Sequence, residues 1–219
     1  MKVRVVQNVL DANDRIADGN RALFDEKNLY VMNLMSSPGA GKTSLVERTI
    51  LALRDRVRIA VIEGDIQDTF DADRVAALGI PAVQINTGGG CHLDGNMVRE
   101  ALADLNLDET DLLIVENVGN LVCPAEFRIG ENDKVMILSV PEGADKPAKY
   151  PLMFQEASVL LINKIDLLPY VDFDLAKACR DARALHPGIE IFEVSCKTGE
   201  GLEGWIAWLT KRMQSRRVE

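Results

Sequence analysis

The chain has 219 residues, 47% of them hydrophobic, with 25 Lys and Arg against 34 Asp and Glu for a formal charge of −9. That size supports one substantial core, and the acidic balance argues against nucleic acid as a partner. No apolar stretch is long enough to span a bilayer and the amino-terminal residues lack a signal-peptide apolar region, so no membrane partner and a cytoplasmic location are expected.

In chain order, the first expected element is an N-terminal helical extension, residues 1–29, packed on the main domain. Between Asn8 and Asn28, Val9, Ile16, Leu23 and Phe24 recur at near-helical spacing. An apolar strand, Val31–Met35, then runs into Ser36-Ser37-Pro38-Gly39-Ala40-Gly41-Lys42-Thr43, followed by Ser44 and a helical stretch, Thr43–Leu53. A strand, a Gly-rich loop and a helix in this order make a phosphate-binding loop. Its backbone N–H groups converge on an anion at the positive end of the helix dipole. Lys42 is expected on the β- and γ-phosphates and the Thr43 hydroxyl on Mg²⁺. The motif departs from G-x-x-x-x-G-K-[ST] at its first position, where Ser36 stands.

Further strands are expected at Arg58–Glu63, Ala82–Asn86, Leu112–Glu116, Lys134–Val140, Val159–Asn163 and Glu190–Val194. Helices are expected at Ala72–Leu78, Leu93–Leu105, Tyr150–Glu156, Asp174–Leu185 and Leu202–Met213. The apolar runs are continuous rather than alternating, the mark of strands covered on both faces. The expected fold is therefore α/β: a doubly wound, mostly parallel sheet of about seven strands with helices on both faces, a P-loop NTPase G domain over residues 30–213, with ligands at the carboxyl ends of the strands. Residues 214–219 are expected as a frayed tail.

Several strand ends carry chemistry. Asp65 and Glu116 are acidic residues that could join Thr43 around Mg²⁺, which prefers oxygen ligands and keeps several waters. Glu116-Asn117-Val118-Gly119 resembles the D-x-x-G element of GTPases, and Gly119 would let its N–H approach the γ-phosphate. Asn120 stands where some GTPases hold a water-orienting Gln. In Asn163-Lys164-Ile165-Asp166, the Asp166 carboxylate can accept from both the ring N–H and the amine of guanine, which adenine does not offer. Asn163 and the Lys164 stem would brace the loop, and a backbone N–H of Ser195-Cys196-Lys197 can meet the guanine oxygen. GTP is preferred over ATP on this reading.

A second chemistry follows the strand Ala82–Asn86. Thr87-Gly88-Gly89-Gly90 delivers Cys91 and His92 side by side, and Cys123 follows the Glu116–Gly119 element. These loops are expected to leave neighbouring strand ends, so that all three side chains converge. Thiolate and imidazole suit Zn²⁺ or Ni²⁺; the alternative is cysteines buried as small apolar groups. Three ligands are one short of a closed tetrahedral site, and a two-fold dimer would supply six. Cys179 reads as core, Cys196 as a backbone contributor and His186 as a helix cap.

On these residues the chain resembles the hydrogenase nickel-incorporation GTPases, the hydrogenase maturation factor B family. The resemblance rests on Ser-Ser-Pro-Gly-Ala-Gly-Lys-Thr at 36–43, Glu-Gly-Asp at 63–65, Thr-Gly-Gly-Gly-Cys-His-Leu-Asp at 87–94 and Glu-Asn-Val-Gly-Asn-Leu-Val-Cys-Pro at 116–124. Asp145-Lys146-Pro147 with Lys149-Tyr150-Pro151, Asn-Lys-Ile-Asp at 163–166 and Ser-Cys-Lys-Thr-Gly-Glu-Gly at 195–201 complete it. It implies a GTP-promoted homodimer whose GTP hydrolysis supports nickel delivery to the [NiFe]-hydrogenase large subunit alongside other maturation proteins. It also implies that Cys91, His92 and Cys123 bind nickel or zinc. Residues 1–35 hold no Cys or His, so any nickel role is expected to run through this G-domain site. An accessory protein for urease or a cobalamin enzyme, a fixed-zinc dimer with GTP as assembly switch, and a plain signalling GTPase remain the alternatives.

Overall fold

The computed structural model describes residues 8–66 and 74–216. Among these, seven strands form one sheet: β1 Tyr30–Ser36, β2 Ile59–Asp65, β3 Ala82–Asn86, β4 Leu112–Glu116, β5 Asp133–Ser139, β6 Val159–Asn163 and β7 Glu190–Glu193. Their order is β3-β2-β4-β1-β5-β6-β7, and every neighbouring pair is parallel. The expected architecture is the one observed. The central strands β1, β4, β5 and β6 are buried along their whole length, which is why their sequences are apolar without alternation.

The helices are α1 Asn8–Glu26, α2 Lys42–Leu53, α3 Gly95–Ala101, α4 Cys123–Glu126, α5 Lys146–Lys149, α6 Pro151–Glu156, α7 Leu175–Leu185 and α8 Leu202–Arg216. One sheet face presents Met32, Leu34, Val61, Ile114, Ile137 and Leu161 to Leu45 and Ile50 of α2 and to Trp205 and Leu209 of α8. On the other face, Met136, Leu138, Leu160 and Ile162 pack with Phe154 of α6 and Ala178, Cys179 and Ala182 of α7. Beside them Val31, Ile62, Leu113 and Val115 meet Phe24 of α1 and Val98 of α3. Because the sheet is parallel, the segments that follow β1, β4, β6 and β7 all leave it at the carboxyl side.

The differences from the sequence expectations have local causes. β2 runs two residues further than expected, through Asp65, because Gly64 and Asp65 pair with Ile85 and Asn86 of β3. The helix expected over Leu93–Leu105 breaks into α3 and a 3₁₀ turn, Leu102–Asp104; Asp94, not Leu93, caps it by accepting from the Met97 N–H. Two short helices, α4 and α5, were not foreseen; each carries Pro in its first turn, where a missing N–H costs nothing. Of the helix expected at Ala72–Leu78, residues 74–76 are helical and the start lies outside the described residues. α8 continues through Arg216, so residues 214–216 of the expected tail are helical and 217–219 lie outside the described residues.

α1 corrects the picture of a simply apolar inner face. Ala17 and Phe24 are buried, but so are Asn13 and Asn20, while Ile16 and Leu23 are only half-buried; the side chain of Val9 lies outside the described residues. Asn20 donates to the Gly95 and Ile129 carbonyls at 2.8 and 3.1 Å and accepts from Arg99. Asn13 donates to the Arg128 carbonyl and accepts from the Gly95 N–H. The two asparagines therefore satisfy backbone groups of α3 and of the segment before β5 that no sheet partner reaches. Asn20→Ala strands two buried carbonyls, and we expect it to lower stability by about 2–3 kcal/mol; urea unfolding of the two proteins measures this.

Candidate nucleotide and metal site

The phosphate loop wraps as its sequence requires. Gly39 and Gly41 sit at φ +73° and +107°, conformations that side chains resist, and a Cβ on Gly41 would collide with the Asn163 amide. The unusual Ser36 is the buried last residue of β1; its hydroxyl donates to the Ser37 carbonyl at 2.6 Å and accepts from Lys42 Nζ at 3.3 Å. A hydroxyl in place of the usual glycine thus helps aim the lysine. A cavity of about 320 Å³ lies over the loop, walled by Gly39, Gly41, Lys42, Thr43 and Ser44 together with Arg74, Glu116 and Lys164.

Glu116, at the carboxyl end of β4, is 3% exposed and accepts from Thr43 Oγ1 at 3.1 Å, with Lys42 Nζ 4.0 Å away. It stands in register with Glu63 of β2, also buried. Two carboxylates side by side away from water repel each other and favour a cation between them and the phosphates. The oxygens of Thr43 and Glu116 are the hard donors that Mg²⁺ prefers, so these residues fit that ion. Asp65 sits at the mouth of β2, two residues beyond Glu63 on the same side of the sheet, and does not wall the cavity. Sequence reasoning quoted Glu63 only as part of the Glu-Gly-Asp run; its in-register pairing with Glu116 is visible only once the sheet order is known.

The loops after β6 and β7 are tied to the phosphate loop by Asn163. Its amide donates to the Ala40 carbonyl at 2.9 Å while its carbonyl accepts the Cys196 N–H at 3.1 Å. Lys164, at φ +64°, lays its stem across the loop and donates to the Gly39 carbonyl. Asp166 accepts from Ser195 Oγ at 2.6 Å, and Arg48 holds the Cys196 and Lys197 carbonyls at 2.8 and 2.9 Å. Between these groups opens a second cavity of about 350 Å³, lined by Gly41, Ser44, Lys164, Asp166, Cys196 and Lys197. It shares Gly41, Ser44 and Lys164 with the lining of the cavity over the phosphate loop. The Cys196 N–H is engaged by Asn163 and is not the one left to meet a base oxygen. Burial pushes the Cys196 thiol up to about 11, in line with a structural role.

Two further contacts escaped the sequence reading. Glu142 accepts from the Ser139 N–H and hydroxyl and from Ser37 Oγ of the phosphate loop. Arg74 walls the phosphate cavity and forms a bidentate pair with Glu47 at 3.0 and 2.7 Å. Neither belongs to a motif that spacing reveals.

Cys91, His92 and Cys123 do converge, with one ligand atom from each within 4.8 Å of the others. The Cys91 and Cys123 sulfurs are 2.9 Å apart and Cys91 Sγ lies 3.6 Å from His92 Nδ1. The route differs from the expected one: β3 and β4 are not neighbours, because β2 lies between them. The Gly-rich loop crosses the end of β2, where a Cβ on Gly64 would sit 2.7 Å from the Leu93 side chain; glycine there lets buried Leu93 pass. The His92 ring stacks on Phe127 with centroids 3.8 Å apart. Burial is the main cause holding the His92 imidazolium pKa below its usual value, which keeps the neutral, metal-ligating form. Two sulfurs and one imidazole form a soft donor set suited to Ni²⁺ or Zn²⁺. Cys91 is exposed and Cys123 half-buried, whereas Cys179 and Cys196 are buried away from the site. His186 caps α7 and its Nδ1 pairs with the Ala157 carbonyl.

A parallel sheet with a phosphate loop after its central strand, an acidic residue after the adjacent strand and side-chain clamps after β6 and β7 defines a P-loop nucleotide-binding protein. Residues 30–193 match the family model described as CobW/HypB/UreG, nucleotide-binding domain. The chain is 55% identical to the hydrogenase maturation factor HypB of Azotobacter vinelandii, over 98% of this chain and 71% of that one. It is also similar to the crystal structure of HypB from Helicobacter pylori in complex with nickel: TM-score 0.88 and 39% identity, covering 93% and 96% of the two chains. HypB from Archaeoglobus fulgidus superposes with a TM-score of 0.87 at 40% identity, covering 93% and 99%. The chain belongs to the CobW/HypB/UreG family of nucleotide-binding proteins and, within it, to the HypB hydrogenase maturation factors.

The hydrogen bond with Cys91, and then burial, hold the Cys123 thiol above the usual cysteine range. A raised pKa leaves less thiolate at pH 8, so removing its first cause should restore reactivity. We expect Cys123 in Cys91→Ala to be alkylated by iodoacetamide at pH 8 faster than in the metal-free parent, as read by peptide mass spectrometry.

Proposed function

We propose that this protein is a GTP-hydrolysing, GTP-dependent dimeric metallochaperone that helps insert nickel into the large subunit of [NiFe]-hydrogenase. The observation that carries the reading is the shared segment 116–123: it begins at Glu116, bonded to Thr43 of the phosphate loop, and ends at Cys123, against Cys91. A nucleotide pocket and a soft metal site built on one short segment suit a protein whose cargo is handled in step with its nucleotide. The names of its relatives, hydrogenase maturation factors, and the nickel in the H. pylori structure support the same cargo.

In this reading Ser37 to Ser44 cradle the phosphates, with Lys42 neutralising charge on the β- and γ-groups and the Gly119 N–H facing the γ-phosphate. Asp166 accepts from guanine while Asn163 and Lys164 brace the pocket and Ser195 to Lys197 close it. Mg²⁺, held by Thr43 with Glu116 and Asp65, supplies charge neutralisation at the phosphates. Turnover is slow, since the phosphate clamp carries no assigned water-orienting group. Cys91, His92 and Cys123 hold nickel or zinc as cargo. Exposed Cys91 suits a metal shared between two copies. Residues 30–213 act as the GTPase unit, with α1 as an extension packed on it. No helix among the described residues is long and apolar enough to cross a membrane, and a cytoplasmic site of action fits the reading. One observation favours a broader client range: a relative from Helicobacter hepaticus, 40% identical, is a hydrogenase/urease maturation factor.

Lys42→Ala should reduce GTP hydrolysis at least about 100-fold while leaving the far-ultraviolet circular dichroism of the nucleotide-free protein unchanged; full turnover would overturn the phosphate-loop assignment. Asp166→Asn exchanges an acceptor for a donor, so preference should move from GTP toward xanthosine triphosphate. Competition binding measures that exchange, and strict GTP preference in the variant would contradict the base contact.

A further inference from the structure

The segment from Glu116 to Cys123 is held at four points, and one of them touches both arms of the metal site. Asn117 is fully buried: its amide donates to Asn33 Oδ1 of β1 at 3.1 Å, and its carbonyl accepts from Leu93 N–H at 2.9 Å and from Val118 N–H at 3.0 Å. That pins the root of the Cys91–His92 loop to the central strand. Gly119 lies against the phosphate loop so closely that a Cβ there would be 2.9 Å from the Cα and N of Pro38. The next residue, Asn120, turns its side chain to the metal loop. Its amide donates to the Cys91 carbonyl at 3.2 Å and its carbonyl accepts from the Val122 N–H at 2.9 Å. Both of its polar atoms are thus engaged in the metal loop, where its place in the sequence suggested a water-orienting role.

We propose that Asn120 is the positioning residue that ties Cys91 and Cys123 to the phosphate loop, so that a shift of Gly119 on nucleotide exchange moves both sulfurs together. The inference rests on the reading above, that the pocket takes GTP and the three side chains take nickel. Gly119 cannot move toward a γ-phosphate without dragging its neighbour, because they share a peptide bond. Asn117 keeps the root of the loop fixed, so the displacement falls on the tip, which carries Cys91 and the turn before Cys123. A residue that orients metal ligands in this way commonly governs affinity by tenfold or more. Coupling between two sites is reciprocal, so nickel must change nucleotide affinity by the same factor as the nucleotide changes nickel affinity.

The test measures the affinity of the protein for GDP and for a non-hydrolysable GTP analogue, each with and without Ni²⁺, in the parent, Asn120→Ala and Asn120→Asp. The parent should show a nickel-dependent change in the ratio of the two nucleotide affinities. Asn120→Ala should bring that change close to onefold, weaken nickel binding about tenfold and alter the nickel–thiolate charge-transfer absorption, with nickel-free nucleotide binding preserved. Asn120→Asp keeps the acceptor for Val122 N–H and loses the donor to Cys91, so an intermediate change is expected; it carries the test if the alanine variant does not fold. A full nickel effect in both variants overturns the inference and leaves the proposed function standing, whereas a parent that binds nickel without any nickel effect on nucleotide overturns both. A parent that binds no nickel overturns the proposed function and the inference with it.

Discussion

The pairing of β1 with β4 is the constraint on which the site depends. Leu34 stands opposite Glu116 in that parallel ladder, so the phosphate loop and the 116–123 segment leave the sheet side by side. A parallel ladder gives both loops the same end of the sheet, and neither strand can slip by one residue without turning its buried side chains to the wrong face. The close approach of Gly119 to Pro38 and the Thr43–Glu116 bond both follow from this adjacency. The remaining strands add to it in order: β2 brings Glu63 beside Glu116, while β6 and β7 bring the clamps around Asn163.

Electrostatics give this arrangement its chemical bias. Glu63 and Glu116 are carboxylates removed from water, an expensive placement that cations offset. Lys42 stands 4.0 Å from Glu116, and a nucleotide-borne divalent ion would add to the same balance. Loading the pocket therefore changes the charge at the head of the segment whose far end carries Cys123. Metal ligands and phosphate ligands are thus joined through backbone and short hydrogen bonds rather than through a long path of packed side chains. The soft donors remain at the surface and the hard donors inside, which separates cargo from Mg²⁺ by chemistry as well as by distance.

The fold was legible because each central strand is covered on both faces and so announces itself as an unbroken apolar run. The phosphate loop, the Asn163–Asp166 clamp and the Cys91, His92 and Cys123 triad were legible because backbone geometry or donor chemistry restricts which residue types work there. Strand order was not legible: periodicity says that β3 and β4 are strands, but nothing in it says that β2 lies between them. For the same reason Glu63 was passed over, since its meaning comes from a neighbour across the ladder. Asn13, Asn20 and Asn117 were hidden for a different cause. Asparagine is ordinary in loops and on helix surfaces, and only the carbonyls and N–H groups it meets in space reveal its work.

The central claim is that nucleotide pocket and metal site form one coupled unit. Equilibrium dialysis of nickel against the parent protein, in GDP and in a non-hydrolysable GTP analogue, tests it most directly. The account predicts nickel affinities that differ between the two nucleotides, with one metal or fewer per chain. Tight binding of the same strength in both would contradict it and indicate a fixed structural metal.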